Sequence, residues 1–191
     1  MKNSLKLGLL ALAIGSVVSI NASAQDTEII EIQTASAIRY SVGVEGGLTS
    51  GSLNTNYNWS LGGSLQADIP LISSNLYATV NAGYTTIFAD KNLSPKPKDI
   101  NLIPVKAGLK YFLIKDIYIQ GEAGVSFILN KDEIGYNNAA SFLYAPQVGV
   151  LFPIGKNRID AGVRYESNTK FTANGSSGNI FGLRVAYAFG L

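Results

Sequence analysis

The 191-residue chain contains no cysteine and no histidine. Without cysteine there is no disulfide framework and no cysteine to carry a lipid anchor. Without histidine the chain lacks the side chain most used for acid–base catalysis near neutral pH and a leading metal ligand. The carboxylates are scattered, so no catalytic, metal or cofactor site is expected. Long apolar runs are scarce as well. Beyond residue 25 nothing approaches the roughly 18 apolar residues of a membrane helix. Before it, residues 7–20 are mostly apolar, follow Lys2 and Lys6, and precede the small-x-small triplet Ala22-Ser23-Ala24. Residues 1–24 therefore read as a cleaved signal peptide, with Gln25 opening the mature chain. The full chain has 15 basic and 13 acidic residues, and loss of the two leader lysines balances them. That leaves no basic footprint for nucleic acid. Apolar types still make up 47% of the chain. An exported chain this apolar, without a membrane helix, is either a soluble β-protein or a β-barrel in a membrane.

Residues 25–37 are polar and weakly patterned, and read as a periplasmic lead-in. From residue 38 onward, eight segments alternate apolar and polar residues, the two-residue period of a strand with two different faces. They cover about 38–48, 58–69, 76–88, 100–112, 117–129, 141–152, 158–167 and 179–189. Each carries one glycine on its polar side: Gly43, Gly62, Gly83, Gly108, Gly124, Gly149, Gly162 and Gly182. Glycine weakens a strand interior and is useful only where something approaches closely. The polar side should therefore be a crowded inside, and the Val/Leu/Ile/Tyr side an outside that faces lipid. The inward set holds Arg39, Lys106, Lys110, Arg164 and Arg184 against Glu45, Asp68, Glu122, Asp160 and Glu166. These ten form a candidate lumen charge network of balanced sign. Ser60 and Ser64 share a face with Asp68 and read as polar filler.

Connections alternate between three short turns, near 70–75, 113–116 and 153–157, and four longer polar loops, near 49–57, 89–99, 130–140 and 168–178. Short turns on one side and longer loops on the other are the habit of membrane barrels. Asn75, Asp116 and Asn157 recur at a spacing of 41 residues, as one hairpin per repeat would require. The pattern polar-Ala-Gly-apolar returns at Asn81–Tyr84, Lys106–Leu109, Glu122–Val125 and Asp160–Val163. Aromatic residues gather toward strand ends: Tyr111, Phe112, Phe152, Tyr187 and Phe189 on the short-turn side, and Trp59, Tyr84, Phe88, Phe142, Tyr165 and Phe181 on the long-loop side. They are expected to form two interfacial girdles. Pro104 and Pro146 fall inside strands and predict bulges or strand ends. Asp132 and Glu133 read as a solvated loop tip with calcium as the alternative. Residues 94–99 read as a stiff solvated loop, with lipopolysaccharide phosphate binding as the alternative.

The leader, the eight alternating segments, the run Ile103-Pro104-Val105-Lys106-Ala107-Gly108-Leu109-Lys110-Tyr111-Phe112 and the aromatic end of the last strand together resemble the small outer-membrane β-barrel proteins. Both the OmpA/OmpX-type transmembrane domain and the Bacteroidetes-type barrels share this look over about 38–191. The resemblance implies an all-β, eight-stranded, antiparallel up-and-down transmembrane barrel, located in the cell outer membrane. It also implies a monomer that contacts outer-membrane lipid and lipopolysaccharide and meets the barrel-insertion machinery during biogenesis. The outer-membrane hydrolases of this kind use a histidine, which this chain lacks. One departure concerns the end: Phe189 is followed by Gly190 and Leu191, where such chains often finish on phenylalanine. The function expected is structural or surface-interacting, without catalysis, with the lumen plugged by charge. The alternatives are a narrow pore for small solutes, or a soluble periplasmic lipocalin-like carrier with the apolar face turned inward.

Overall fold

The computed structural model describes residues 38–71, 75–95, 97–134, 138–169 and 177–190. The segments expected to be a signal peptide and a lead-in, and Leu191, lie outside them. Strands form where the alternation runs: β1 Arg39–Ser50, β2 Tyr57–Pro70, β3 Leu76–Ala89, β4 Ile100–Phe112, β5 Ile117–Ile128, β6 Ala140–Ile154, β7 Asn157–Asn168 and β8 Gly178–Gly190. Each pairs antiparallel with its sequence neighbours, and β8 returns to β1, so the sheet closes into an up-and-down barrel. Closure leaves no unpaired sheet edge.

Side-chain phase follows the strand period. Along β5, Tyr118, Gln120, Glu122, Ser126 and Ile128 are buried, while Ile119, Val125 and Phe127 are exposed. Every charged residue within the eight strands lies in the inward phase. Most apolar residues of the strands face out, the inverse of what a lipocalin-like carrier needs. Phe112 is corrected: it is buried inside rather than standing in an outer girdle. The remaining aromatics do cluster near strand ends. Trp59 stacks on Phe88 at the long-loop end, with ring centroids 4.1 Å apart. Tyr40 and Phe189 meet at the short-turn end, 6.3 Å apart.

The prolines behave differently from expectation. Pro104 pairs with Ser126 of β5, and Pro146 pairs with Gly121 of β5. The ladder is interrupted on the other side of each, between β3 and β4 and between β6 and β7, and resumes in the same register. A missing N–H thus removes pairing locally without a bulge or a strand end. The irregularity that does occur is a register shift between β2 and β3 at Tyr57/Trp59.

Among the loops, residues Gly51–Thr55 make a 3₁₀ turn and Lys131–Ile134 a single helical turn. Side chains tie the loops together. Asn130 accepts from the Asn101 N–H at 3.0 Å and donates to the Asp99 carbonyl at 2.8 Å. The Ser52 hydroxyl donates to the Ser177 carbonyl at 2.7 Å.

Candidate functional site

Among the described residues, chemistry-bearing side chains converge in the interior, and it is layered. At the long-loop end lies an apolar cluster: Leu53 from the first loop packs with Tyr57, Ile87, Ile100, Leu102 and Ile180. At the short-turn end Tyr77, Phe112, Tyr118 and Leu151 form a second cluster. Charge occupies the layer between. These apolar layers were missed in the sequence, although the signal was present: Ile87, Ile100, Leu102 and Tyr118 all sit in the polar phase of their strands.

Seven of the ten candidate charges form one chain of alternating sign. Lys110 Nζ lies 2.7 Å from Asp68 and 3.2 Å from Asp160. Arg184 reaches Asp160 at 3.6 Å and Glu45 at 3.4 Å. Arg164 then reaches Glu45 at 2.9 Å and Glu122 at 3.4 Å. Lys106 and Glu166 form a separate pair at 3.0 Å. Arg39 stands outside both groups. Its guanidinium lies over the rings of Tyr77 and Phe112, 5.4 and 5.7 Å from their centroids. Arg158, absent from the candidate set, pairs with Asp116 at 2.8 Å on the short-turn rim.

Neutral groups complete the chain. The Tyr118 hydroxyl donates to Asp160 at 2.5 Å and accepts from Gln147 at 2.5 Å. Gln147 accepts in turn from Arg164 Nε at 2.8 Å. Ser64 donates to Glu45 at 2.5 Å and accepts from Arg184 at 3.2 Å. Asn81 donates to Gln66, which donates to Asp68 at 2.7 Å. Partners of this kind are what ionised groups need when removed from water; Glu122 Oε2, Arg164 Nη2 and Arg184 Nη1 are held by ion pairing without a hydrogen bond. A cavity of about 30 Å³ remains beside Glu45, Ser60, Thr85, Arg164, Glu166 and Arg184. It has room for little more than water.

Close approach explains the inward glycines. A Cβ placed on any of the eight would come within 3 Å of a neighbouring atom. At Gly108 it would meet the carbonyl of Gly121, and at Gly149 the ring of Tyr118. The outward-facing Gly46, Gly63 and Gly121 show the contrast, with nothing nearer than 3.5 Å. The crowding is therefore a property of the inner face.

Outside the barrel, Asp132 pairs with Lys131 at 2.9 Å and Glu133 with Lys98 at 3.2 Å. Lys96 lies outside the described residues. Among the described residues no group of three or more metal-ligating side chains assembles.

The class that this fold and interior define is the small eight-stranded antiparallel barrel, polar inside and apolar outside. Neither a family model nor a curated protein matches the chain. Solved structures do match. The outer membrane enzyme PagL superposes with a TM-score of 0.56 at 16% identity, over 79% of this chain and 99% of that one. The N-terminal β-barrel domain of Pseudomonas aeruginosa OprF matches with a TM-score of 0.49 at 13% identity, over 79% and 97%. Ail, the attachment invasion locus protein of Yersinia pestis, matches with a TM-score of 0.48 at 13% identity, over 80% and 99%. The likeness to PagL shows a shared fold.

Proposed function

We propose that the chain is an integral outer-membrane β-barrel with a structural or surface-interacting role, its lumen plugged by side chains and without catalysis. The observation that carries this reading is the outer surface. Val44, Leu48, Leu65 and Leu183 are each more than 60% exposed, and strands on every side of the barrel contribute similar residues. Soluble monomers rarely expose contiguous apolar surface on that scale. In hydrocarbon the same surface is solvated, and a closed sheet satisfies the backbone. Strands of 12–15 residues are long enough for a tilted crossing.

The plugged lumen is supported by the alternating ion chain between two apolar layers. The absence of catalysis is supported by the lack of histidine and by the engagement of Ser64 with Glu45 and Arg184. Sharing a fold with an enzyme does not transfer its chemistry. Contact with lipid and lipopolysaccharide, delivery by the barrel-insertion machinery and a monomeric state belong to the same proposal. Membrane fractionation tests it. The protein is expected to resist carbonate extraction and to change mobility on a detergent gel after boiling. Recovery in the soluble fraction, with no such change, would overturn it.

A further inference from the structure

On the outer face a groove of about 730 Å³ crosses the sheet, with Gly121 and Pro146 in its floor. The register gives its course. Phe181 pairs with Tyr165, Pro146 with Gly121, and Gly121 with Leu109. Phe181 lies near the long-loop end of β8, whereas Leu76 and Tyr111, which also line the groove, lie at the short-turn ends of β3 and β4. The groove thus runs obliquely from one end of the apolar band to the other, over about 24 Å for five strand spacings. Its walls are apolar, including Leu109, Ile119 and Val148, each at least 46% exposed. Gln120 and Gln147 also border it, but both are buried and their side chains bond to interior partners.

Among the described residues, exposed lysines stand beside the short-turn end of the groove. Every charged residue within the strands faces inward, so the outer wall offers an anion nothing until the short turns. There Lys115 follows Tyr111 at the end of β4, is exposed, and has no ion-pair partner among the described residues. The neighbouring Asp116 carboxylate is already engaged by Arg158. A second exposed lysine, Lys156, occupies the turn between β6 and β7, also under the strands that carry the groove.

We propose that this groove holds an acyl chain of a phospholipid from the leaflet on the short-turn side, with its phosphate at Lys115. The inference rests on the membrane-spanning reading above. Between surfaces already in hydrocarbon, selective association comes from close packing, and small residues permit it. Gly121 and Pro146 give a linear chain a depression between the Leu109, Ile119 and Val148 side chains; a second groove of about 690 Å³ at Gly46, between β1, β2 and β8, has no lysine at its short-turn end among the described residues. A second barrel would instead have to fit its own convex wall into the groove.

Native mass spectrometry on the full chain in mild detergent, titrated with dipalmitoyl phosphatidylglycerol, tests the assignment. Gly121→Leu fills the floor, and an added Cβ there meets nothing within 4 Å, so the barrel itself is undisturbed. The wild type is expected to retain lipid, Gly121→Leu to lose it, and Lys115→Gln to bind about fivefold more weakly. Gly63→Leu fills a different outward position and is the control, expected to bind as the wild type does. Equal retention by Gly121→Leu and Gly63→Leu would overturn the proposal, as would a dimer abolished by Gly121→Leu. A boiling-dependent gel shift in each variant separates these outcomes from failure of the membrane reading, which would remove the shift from the wild type as well.

Discussion

Glycine on the inner wall acts through what it leaves out. At Gly108 the carbonyl of Gly121 in the neighbouring strand occupies the space a methyl group would need. Gly149 and Gly162 face each other across β6 and β7, and Tyr118 lies over the pair, its hydroxyl 3.1 Å from the Cβ position of Gly162. Gly108→Ala is expected to lower folding stability by about 1–3 kcal/mol, the usual range for overpacking. Gly46→Ala, on the open outer wall, should stay within about 0.5 kcal/mol. Urea unfolding followed by the fluorescence of Trp59, the single tryptophan, measures both. Asp160 presents the converse case, since it serves Lys110, Tyr118 and Arg184 together. Asp160→Ala removes one of the two carboxylates that face each of Lys110 and Arg184, breaks the ion chain at its middle, and should cost about 3–5 kcal/mol. Arg39→Ala removes only a cation over two rings, expected to cost about 1–2 kcal/mol. Similar losses in the two variants, measured by the same unfolding assay, would contradict the chain of ion pairs described here.

At the scale of elements, the strands were legible because each has two unlike faces, and a period of two carries both the strand and its phase. The eight observed strands lie within two residues of the expected bounds at each end. Four things were less legible. Phe112 was grouped with the outer aromatics by type, although its spacing from Lys106 and Lys110 puts it in the inward phase; phase decides over type where the two disagree. Proline signals a lost donor, but not whether the strand bends to absorb the loss. At Pro104 and Pro146 the pairing on the β5 side continues in one register. The partners within the interior depend on long-range register: Arg184 and Ser64 lie 120 residues apart, and no local pattern joins them. The short helical turn at Lys131–Ile134 is too brief to show a period.

For the molecule as a whole, the layered interior sets what the barrel can pass. Eight strands leave an interior that side chains can fill, and here two apolar clusters close the charged layer at either end. Purified protein in a planar bilayer is therefore expected to stay electrically silent at either polarity. Reproducible single-channel steps would favour the narrow-pore alternative. The more direct test concerns orientation, because the proposed lipid belt, the proposed plugged lumen and the proposed lipid groove all depend on it. With no cysteine in the chain, a single introduced thiol gives a single label. Ser126 is fully buried and Val125, one residue before it, is exposed. In reconstituted Val125→Cys and Ser126→Cys proteins carrying a nitroxide, the account predicts that the label at 125 relaxes strongly with oxygen and weakly with a water-soluble nickel complex, while the label at 126 is shielded from both. A label at 125 reached freely by the nickel complex, with oxygen access at 126, would contradict it.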